Sequence, residues 1–245
     1  MLDFHDTHTF DLVEPNRSSE VFSNCDQPDC AKSQCGVSQC CLLKEAGKLK
    51  SFAKGDVIFW DGDKADTVYI IVSGVVRETK LLSDGRRQVT RFAFKNELLE
   101  YSQHSSMPFT AEAITPVEVR AIPRRLLEAS MNQTPCLKSL VMRAILDELH
   151  QAQCQVMALG RLSAQERVAQ FLYNLRNRIG VASDGAFDLP MARQDIADHL
   201  GLTIETVSRV ISRLKRDNKI KLLPFGRIAI PDPSAFSDEL LADAA

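Results

Sequence analysis

Gly201 separates two short runs whose apolar residues recur at helical spacing, and this arrangement constrains the chain more than any other feature. Before it, Pro190-Met191-Ala192 leads into a helix predicted from about Arg193 to Leu200, with Ile196, Ala197 and Leu200 facing inward. After it, Leu202 anchors a turn, Thr203 stands at an N-cap, and Ile204, Val207, Ile211 and Leu214 recur every three or four residues. Glycine supplies the backbone freedom that so tight a turn needs. Two short helices joined in this way form a helix-turn-helix, whose second member lies in the major groove of DNA.

The face of the second helix left over by its apolar stripe carries Glu205, Ser208, Arg209 and Arg213. A guanidinium can donate two hydrogen bonds to O6 and N7 of guanine, and a carboxylate can accept one from the N4 amine of cytosine. One helical turn separates Glu205 from Arg209, so the two can address neighbouring base pairs. A bidentate base contact contributes about 1–3 kcal/mol of discrimination, against about 0.3–0.5 kcal/mol for an i, i+4 surface ion pair between the same two residues. A carboxylate aimed at a polyanion is otherwise a poor choice, which favours base reading. The residues assigned to DNA are Thr203, Glu205, Thr206, Ser208, Arg209, Arg213, Lys215 and Arg216, the last two suited to phosphates. After Asn218, Ile220-Lys221-Leu222 and Gly226-Arg227-Ile228-Ala229-Ile230 predict a β-hairpin, making a winged helix with Phe225-Gly226-Arg227 at its tip and Arg227 near the DNA backbone.

Charge agrees with a local footprint. The whole chain of 245 residues carries a net charge of -2, yet residues 161–230 carry twelve Lys or Arg against seven Asp or Glu. A basic module inside a slightly acidic protein can meet phosphates without coating nucleic acid indiscriminately. Nowhere does an apolar run approach the ~20 residues of a membrane span. The start Met1-Leu2-Asp3-Phe4-His5-Asp6 lacks the basic and apolar segments of an export signal, so a cytoplasmic location is expected.

Upstream the texture changes twice. Residues 51–122 alternate in β fashion between turn signals such as Ser73-Gly74 and Asp84-Gly85, with Ala111 to Ile122 read as a strand pair interrupted at Pro116 and Trp60 assigned to the core. A small barrel or jelly roll follows from many short strands with regular glycine turns. From Pro135, an apolar stripe through Leu137, Val141, Ile145, Leu149, Ala152, Val156 and Leu159 predicts a long helix. Its length and regularity favour a seam with a second copy, of which Val141, Ile145, Leu149, Ala152, Val156 and Leu159 are the predicted dimer contacts. Gly160 breaks the stripe as a candidate hinge, and Ser163-Ala164-Gln165-Glu166 is a capping box that opens a further helix. The fold class is therefore α+β, in four segments. Residues 1–41 form a flexible arm, 42–133 a β-roll (opening with a short helix near Leu42–Leu49), 134–160 a dimerisation helix, and 161–245 a winged helix-turn-helix.

With these residues in hand, the chain resembles the Crp/Fnr family of bacterial regulators over roughly residues 45–231. The match rests on the β-roll glycines, the long helix, Ala164-Gln165-Glu166-Arg167, and Leu189-Pro190-Met191 through Arg213. The segment Leu202-Thr203-Ile204-Glu205-Thr206-Val207-Ser208-Arg209 is similar to the recognition helix of the Fnr and FixK branches. The resemblance implies a homodimer on an inverted repeat of the TTGA-N6-TCAA kind, contact with RNA polymerase, gene activation, and control by oxygen or redox state. Two departures matter. The stretch Asn96-Glu97-Leu98-Leu99-Glu100-Tyr101 and then Pro108-Phe109-Thr110 lacks the family's Gly-Glu and Arg-Ser cassette, so no cyclic AMP is expected to bind. Arg120 stands where oxygen-sensing members carry a β-roll cysteine ligand.

Five of the seven cysteines lie between Cys25 and Cys41. Cys25, Cys30, Cys35 and Cys40 repeat every five residues, with Cys41 as an alternative ligand. Four thiolates on one short segment can hold a [4Fe-4S] cluster or a zinc ion. A thiol–disulfide switch or an unliganded arm are the other readings. Cys136 and Cys154, on the long helix, read as small apolar residues. The competing account of the whole chain is a metal-binding or thiol-redox protein whose helix-turn-helix does not read sequence. An enzyme is not expected, because no nucleophile–base pairing, phosphate loop or His-rich metal motif is legible.

Overall fold

The structure is a computed structural model that describes residues 47–99, 101, 105–133 and 135–233. The cysteine stretch from Cys25 to Cys41 lies outside the described residues.

Eight short strands follow one another: β1 (Lys48–Phe52), β2 (Val57–Phe59), β3 (Thr67–Ser73), β4 (Val76–Leu81), β5 (Arg87–Ala93), β6 (Leu98–Leu99), β7 (Thr110–Ala113) and β8 (Val117–Pro123). They form two antiparallel sheets, ordered β1-β8-β3-β6 and β2-β7-β4-β5. Ile71, Val76, Leu99 and Val119 are fully buried in the core these sheets share. Gly74 carries the chain from one sheet to the other at φ +89°, and a Cβ there would lie 2.2 Å from the Pro116 carbonyl oxygen. No other residue fits so close an approach. The Asp84-Gly85 hairpin forms as the sequence predicts, β4 pairing with β5 from Val76↔Ala93 to Leu81↔Arg87.

Three expectations for this region are corrected. Lys48 and Leu49 belong to a strand, paired with Ala121 and Arg120, and not to a helix. The strands expected to pair around Pro116 lie in different sheets, β7 beside β2 and β4, β8 beside β1 and β3. Trp60 is exposed, because β2 ends at Phe59 and Trp60 opens a tight turn in which the Asp63 carboxylate accepts from its backbone N–H.

Helix α1 (Arg124–Gln133) was not legible and buries Leu127 under the roll. Helix α2 (Pro135–Arg161) is the expected long helix, but its apolar residues point two ways. Leu137 and Val141 are buried against Val68, Ile70, Leu98 and Ile122 of the chain's own β-roll, with Ile145 packed beside them. Val141, predicted for the dimer seam, is therefore a core residue of its own domain. Met142, Leu146, Leu149, Val156 and Met157 are exposed instead, Leu146 at 55%, Leu149 at 52% and Val156 at 70%.

Gly160 is not the break between domains, since α2 runs one residue past it. The next helix, α3 (Ala164–Ile179), starts with the predicted capping box between Ser163 and Glu166. Arg167 fixes the joint by donating to the carbonyls of Leu159 (2.9 Å), Leu162 (2.9 Å) and Leu200 (3.1 Å). Three carbonyls held by one planar cation tie the end of α2, the start of α3 and the helix-turn-helix together.

The remaining elements are β9 (Ala186–Asp188), α4 (Arg193–Leu200), α5 (Ile204–Arg216), β10 (Lys221–Leu223) and β11 (Arg227–Ala229), the three strands ordered β10-β11-β9. Their core contains Val168, Leu172, Ile196, Val207, Leu214, Ile220 and Ile228, and it is continuous with Val89, Phe92, Phe94 and Ile114 of the β-roll. The reading domain is thus packed on the roll rather than tethered to it.

Polar ties cross the same joint. Asp195 of α4, 3% exposed, accepts from Arg77 and, at 2.7 Å, from Arg87. Asp198 also accepts from Arg87 at 2.7 Å, and Arg178 of α3 reaches Glu97 at 2.8 Å. His199 lies edge-on to Phe92 and Phe171 and pairs with the Val89 carbonyl at 3.1 Å. Burial lowers its pKa to about 4, so the ring is neutral at physiological pH and donates through Nδ1.

Candidate nucleic-acid interface

The two reading helices meet as the sequence requires. Helix α4 stops at Gly201, which takes the left-handed conformation (φ 64°, ψ 38°) and donates its N–H to the Ala197 carbonyl. Thr203 caps α5, its hydroxyl accepting from the Thr206 N–H at 3.3 Å. Val207, Val210, Ile211 and Leu214 form the buried face of α5. Ile204, expected in that stripe, is exposed, and Val210 takes its place because α5 meets both α3 and α4.

Thr203, Glu205, Ser208, Arg209, Arg213, Lys215 and Arg216 are all exposed, and Thr206 is half-buried. They line the side of α5 opposite its core. No ion pair joins Glu205 to Arg209 among the described residues; Arg209 instead donates to the Thr206 hydroxyl at 3.2 Å. The backbone N–H of Glu205 itself and the Thr203 hydroxyl hold the Glu205 carboxyl below its usual range, with the Arg209 charge adding to the effect. Glu205 is therefore an anion with acceptor capacity to spare, and Arg209 keeps most of its five donors. The surface ion pair that would have competed with base reading is not formed.

Further along α5, Arg213 and Arg216 lie 3.7 and 3.6 Å from Asp217, exposed contacts that phosphates can displace. Arg227, expected near the DNA backbone, pairs within the free chain with Asp184 at 2.8 Å and Asp188 at 3.7 Å. These acids precede the wing and pair with it across β9, a contact that hairpin signals alone do not reveal.

Elsewhere, Arg91 is buried with Glu78 at 2.7 Å and Glu148 of α2 at 3.4 Å; burial opposes its charge, but the Glu78 and Glu148 carboxylates outweigh burial and raise its pKa. Beside these charges, between the roll, the long helix and the reading domain, lies a cavity of about 310 Å³ lined among others by Thr90, Phe94, Ala152, Cys154 and Phe171. Cys154 is half-buried, 3.6 Å from a ring nitrogen of His150, and burial pushes its thiol up. A thiol so placed is less reactive than a free one. No helix among the described residues is long and apolar enough to cross a membrane.

A two-sheet roll, a long helix with one exposed apolar face and a winged helix-turn-helix define the architecture of a DNA-binding regulator. Residues 49–134 match the cyclic nucleotide-binding domain and residues 166–239 the Crp-like helix-turn-helix domain. The chain is 39% identical over 197 residues to the nitrogen fixation regulation protein FixK of Azorhizobium caulinodans, covering 79% of each chain. It is 31% identical over 213 residues to the transcriptional activator protein FnrL of Cereibacter sphaeroides, covering 84% of this chain and 86% of that one. Its fold superimposes on FixK2 from Bradyrhizobium japonicum with a TM-score of 0.74 at 34% identity, over 78% of this chain and 96% of that one. The chain belongs to the Crp/Fnr family of DNA-binding transcription regulators.

Proposed function

We propose that the chain is a cytoplasmic homodimer that activates genes by reading TTGA-N6-TCAA-like inverted repeats, with RNA polymerase as its partner at the promoter. The observation that carries this reading is that Glu205 and Arg209, side by side on an exposed face of α5, form no ion pair with each other and keep bonding capacity toward solvent. Glu205 takes the cytosine amine, Arg209 the guanine edge, and Ser208 with Thr206 supports them. The exposed stripe of α2 supplies the twofold contact that sets the two reading heads about one helical turn, ~34 Å, apart. The name of FnrL, 31% identical to this chain, agrees with an activator.

Binding to a TTGA-N6-TCAA duplex against a scrambled duplex tests the reading. Arg209→Ala is expected to cost about 1–3 kcal/mol on the specific duplex and little on the scrambled one. Equal losses on both duplexes would remove Arg209 from base recognition. The alternative, a redox or metal protein without sequence reading, predicts no preference in the unaltered protein.

We also propose that Cys25, Cys30, Cys35 and Cys40, or Cys41 in place of one of them, hold a [4Fe-4S] cluster that makes the regulator oxygen-responsive. The described residues contain no group of three or more His, Cys, Asp or Glu able to hold a metal. Arg120 instead points toward the Gly47 carbonyl. The support for a cluster is the five-residue spacing of the N-terminal cysteines. Anaerobically purified protein is expected to be brown with about four irons and four sulfides per chain; colourless protein containing zinc or no metal would overturn this. Cyclic AMP is not the expected effector, because the β-roll sequence lacks the Gly-Glu and Arg-Ser cassette that holds it in the family.

A further inference from the structure

The wing tip carries an unusual residue. Phe225 is fully exposed, at 101% of its reference surface, and sits at φ 61°, ψ 26° inside the tight turn Pro224–Gly226. Single exposed apolar residues are common and need no account. A bulky aromatic in the left-handed region is a different matter, since that conformation costs about 1 kcal/mol or more for a residue with a Cβ. Neighbouring Gly226 shows that the turn has room for the one residue that adopts positive φ freely. Strain combined with exposure points to a contact made outside the chain.

What lies outside is set by the elements beneath. β10 begins five residues after α5 ends, and Phe225 is two residues beyond β10. Nine residues at about 3.3 Å each keep the tip within ~30 Å of the end of the reading helix. With α5 in a major groove about 12 Å wide, that reach takes in the flanking backbone and minor groove. Arg227, the cation nearest the tip, is paired with Asp184 and Asp188. The tip's offered surface is Pro224, the phenyl ring of Phe225 and Gly226, with Leu222 also exposed nearby.

We propose that Phe225 is a DNA-positioning residue whose ring packs against deoxyribose in the minor groove flanking each half-site. This rests on α5 being the reading helix, as above. The contact is apolar, so it adds affinity without releasing counterions. It also explains why the wing's arginine can be neutralised by its own domain without loss of the wing's purpose.

The test compares the full-length protein with Phe225→Ala and Phe225→Gly on two duplexes. Both contain the TTGA-N6-TCAA repeat; one extends six base pairs beyond each half-site and one ends at the half-site edges. Preference for the repeat over scrambled DNA by the unaltered protein establishes the reading helix independently. Both variants are then expected to bind the long duplex about tenfold more weakly, with an unchanged slope of log affinity against log salt. On the short duplex they should match the unaltered protein. Phe225→Gly relieves the backbone and should melt no lower, which separates lost contact from lost fold. Unchanged affinity of both variants on the long duplex, or an equal loss on both duplexes, overturns the proposal.

Discussion

Asp195→Ala is expected to destabilise the protein by about 3–5 kcal/mol, the cost of leaving buried charge without its counter-charge. One oxygen of the carboxylate receives Arg77 and Arg87 from the β-roll, and the other accepts from the Ala192 N–H at the start of α4. The side chain therefore caps a reading helix and anchors it to the sensor domain at once. Its removal leaves Arg77 with Glu112 and Arg87 with Asp198, so the arginines are not wholly orphaned. Asp198→Ala should cost clearly less, because Arg87 keeps Asp195 and Asp198 is more accessible. Chemical denaturation of both variants checks the order; a loss below 1 kcal/mol for Asp195→Ala would show that the joint is held by its apolar core alone.

The same contacts join the two domains. β4 and β5 are tied to α4 through Arg77 and Arg87, and the turn after β5 is tied to α3 through Glu97 and Arg178. The roll and the long helix are linked in turn by Arg91 and Glu148. The roll and the reading head are therefore connected by contacts that bypass a glycine hinge. Arg167 closes the position where such a hinge was expected.

How much of this was legible depended on whether an element's partners were local. The helix-turn-helix was readable because Gly201, the Thr203 cap and the α5 stripe specify it within about twenty residues. The capping box of α3 and the β4–β5 hairpin were legible for the same reason. The interdomain ties were not: Arg77 and Asp195 are 118 positions apart, and nothing near either residue announces the other. Helix α2 failed in a more instructive way. It is apolar on two faces, one for its own roll and one exposed. Periodicity alone joined Val141 and Ile145 of the first face to Leu149 and Val156 of the second. The alternative register Met142, Leu146, Leu149, Val156 follows three-and-four spacing with Gln153 in the gap, and only the placement of the roll chooses between them.

That register carries the second large prediction. Leu146→Glu combined with Leu149→Glu should turn the protein into a monomer in sedimentation and lower affinity for the inverted repeat by at least about a hundredfold. Two half-exposed leucines per chain, buried on both sides of a twofold seam, contribute roughly 3–6 kcal/mol to association; glutamates there replace that gain with like-charge repulsion. A dimer adds the second half-site at high effective concentration, and a monomer forfeits it. The variants leave the roll intact, since Leu146 and Leu149 are exposed within the chain while Val141 is buried in it. Val141→Glu should instead unfold the β-roll, so the two outcomes distinguish a seam from a core. A doubly substituted protein that stays dimeric and binds the repeat as before would place the twofold contact on another surface, and the exposed stripe of α2 would then need a different occupant.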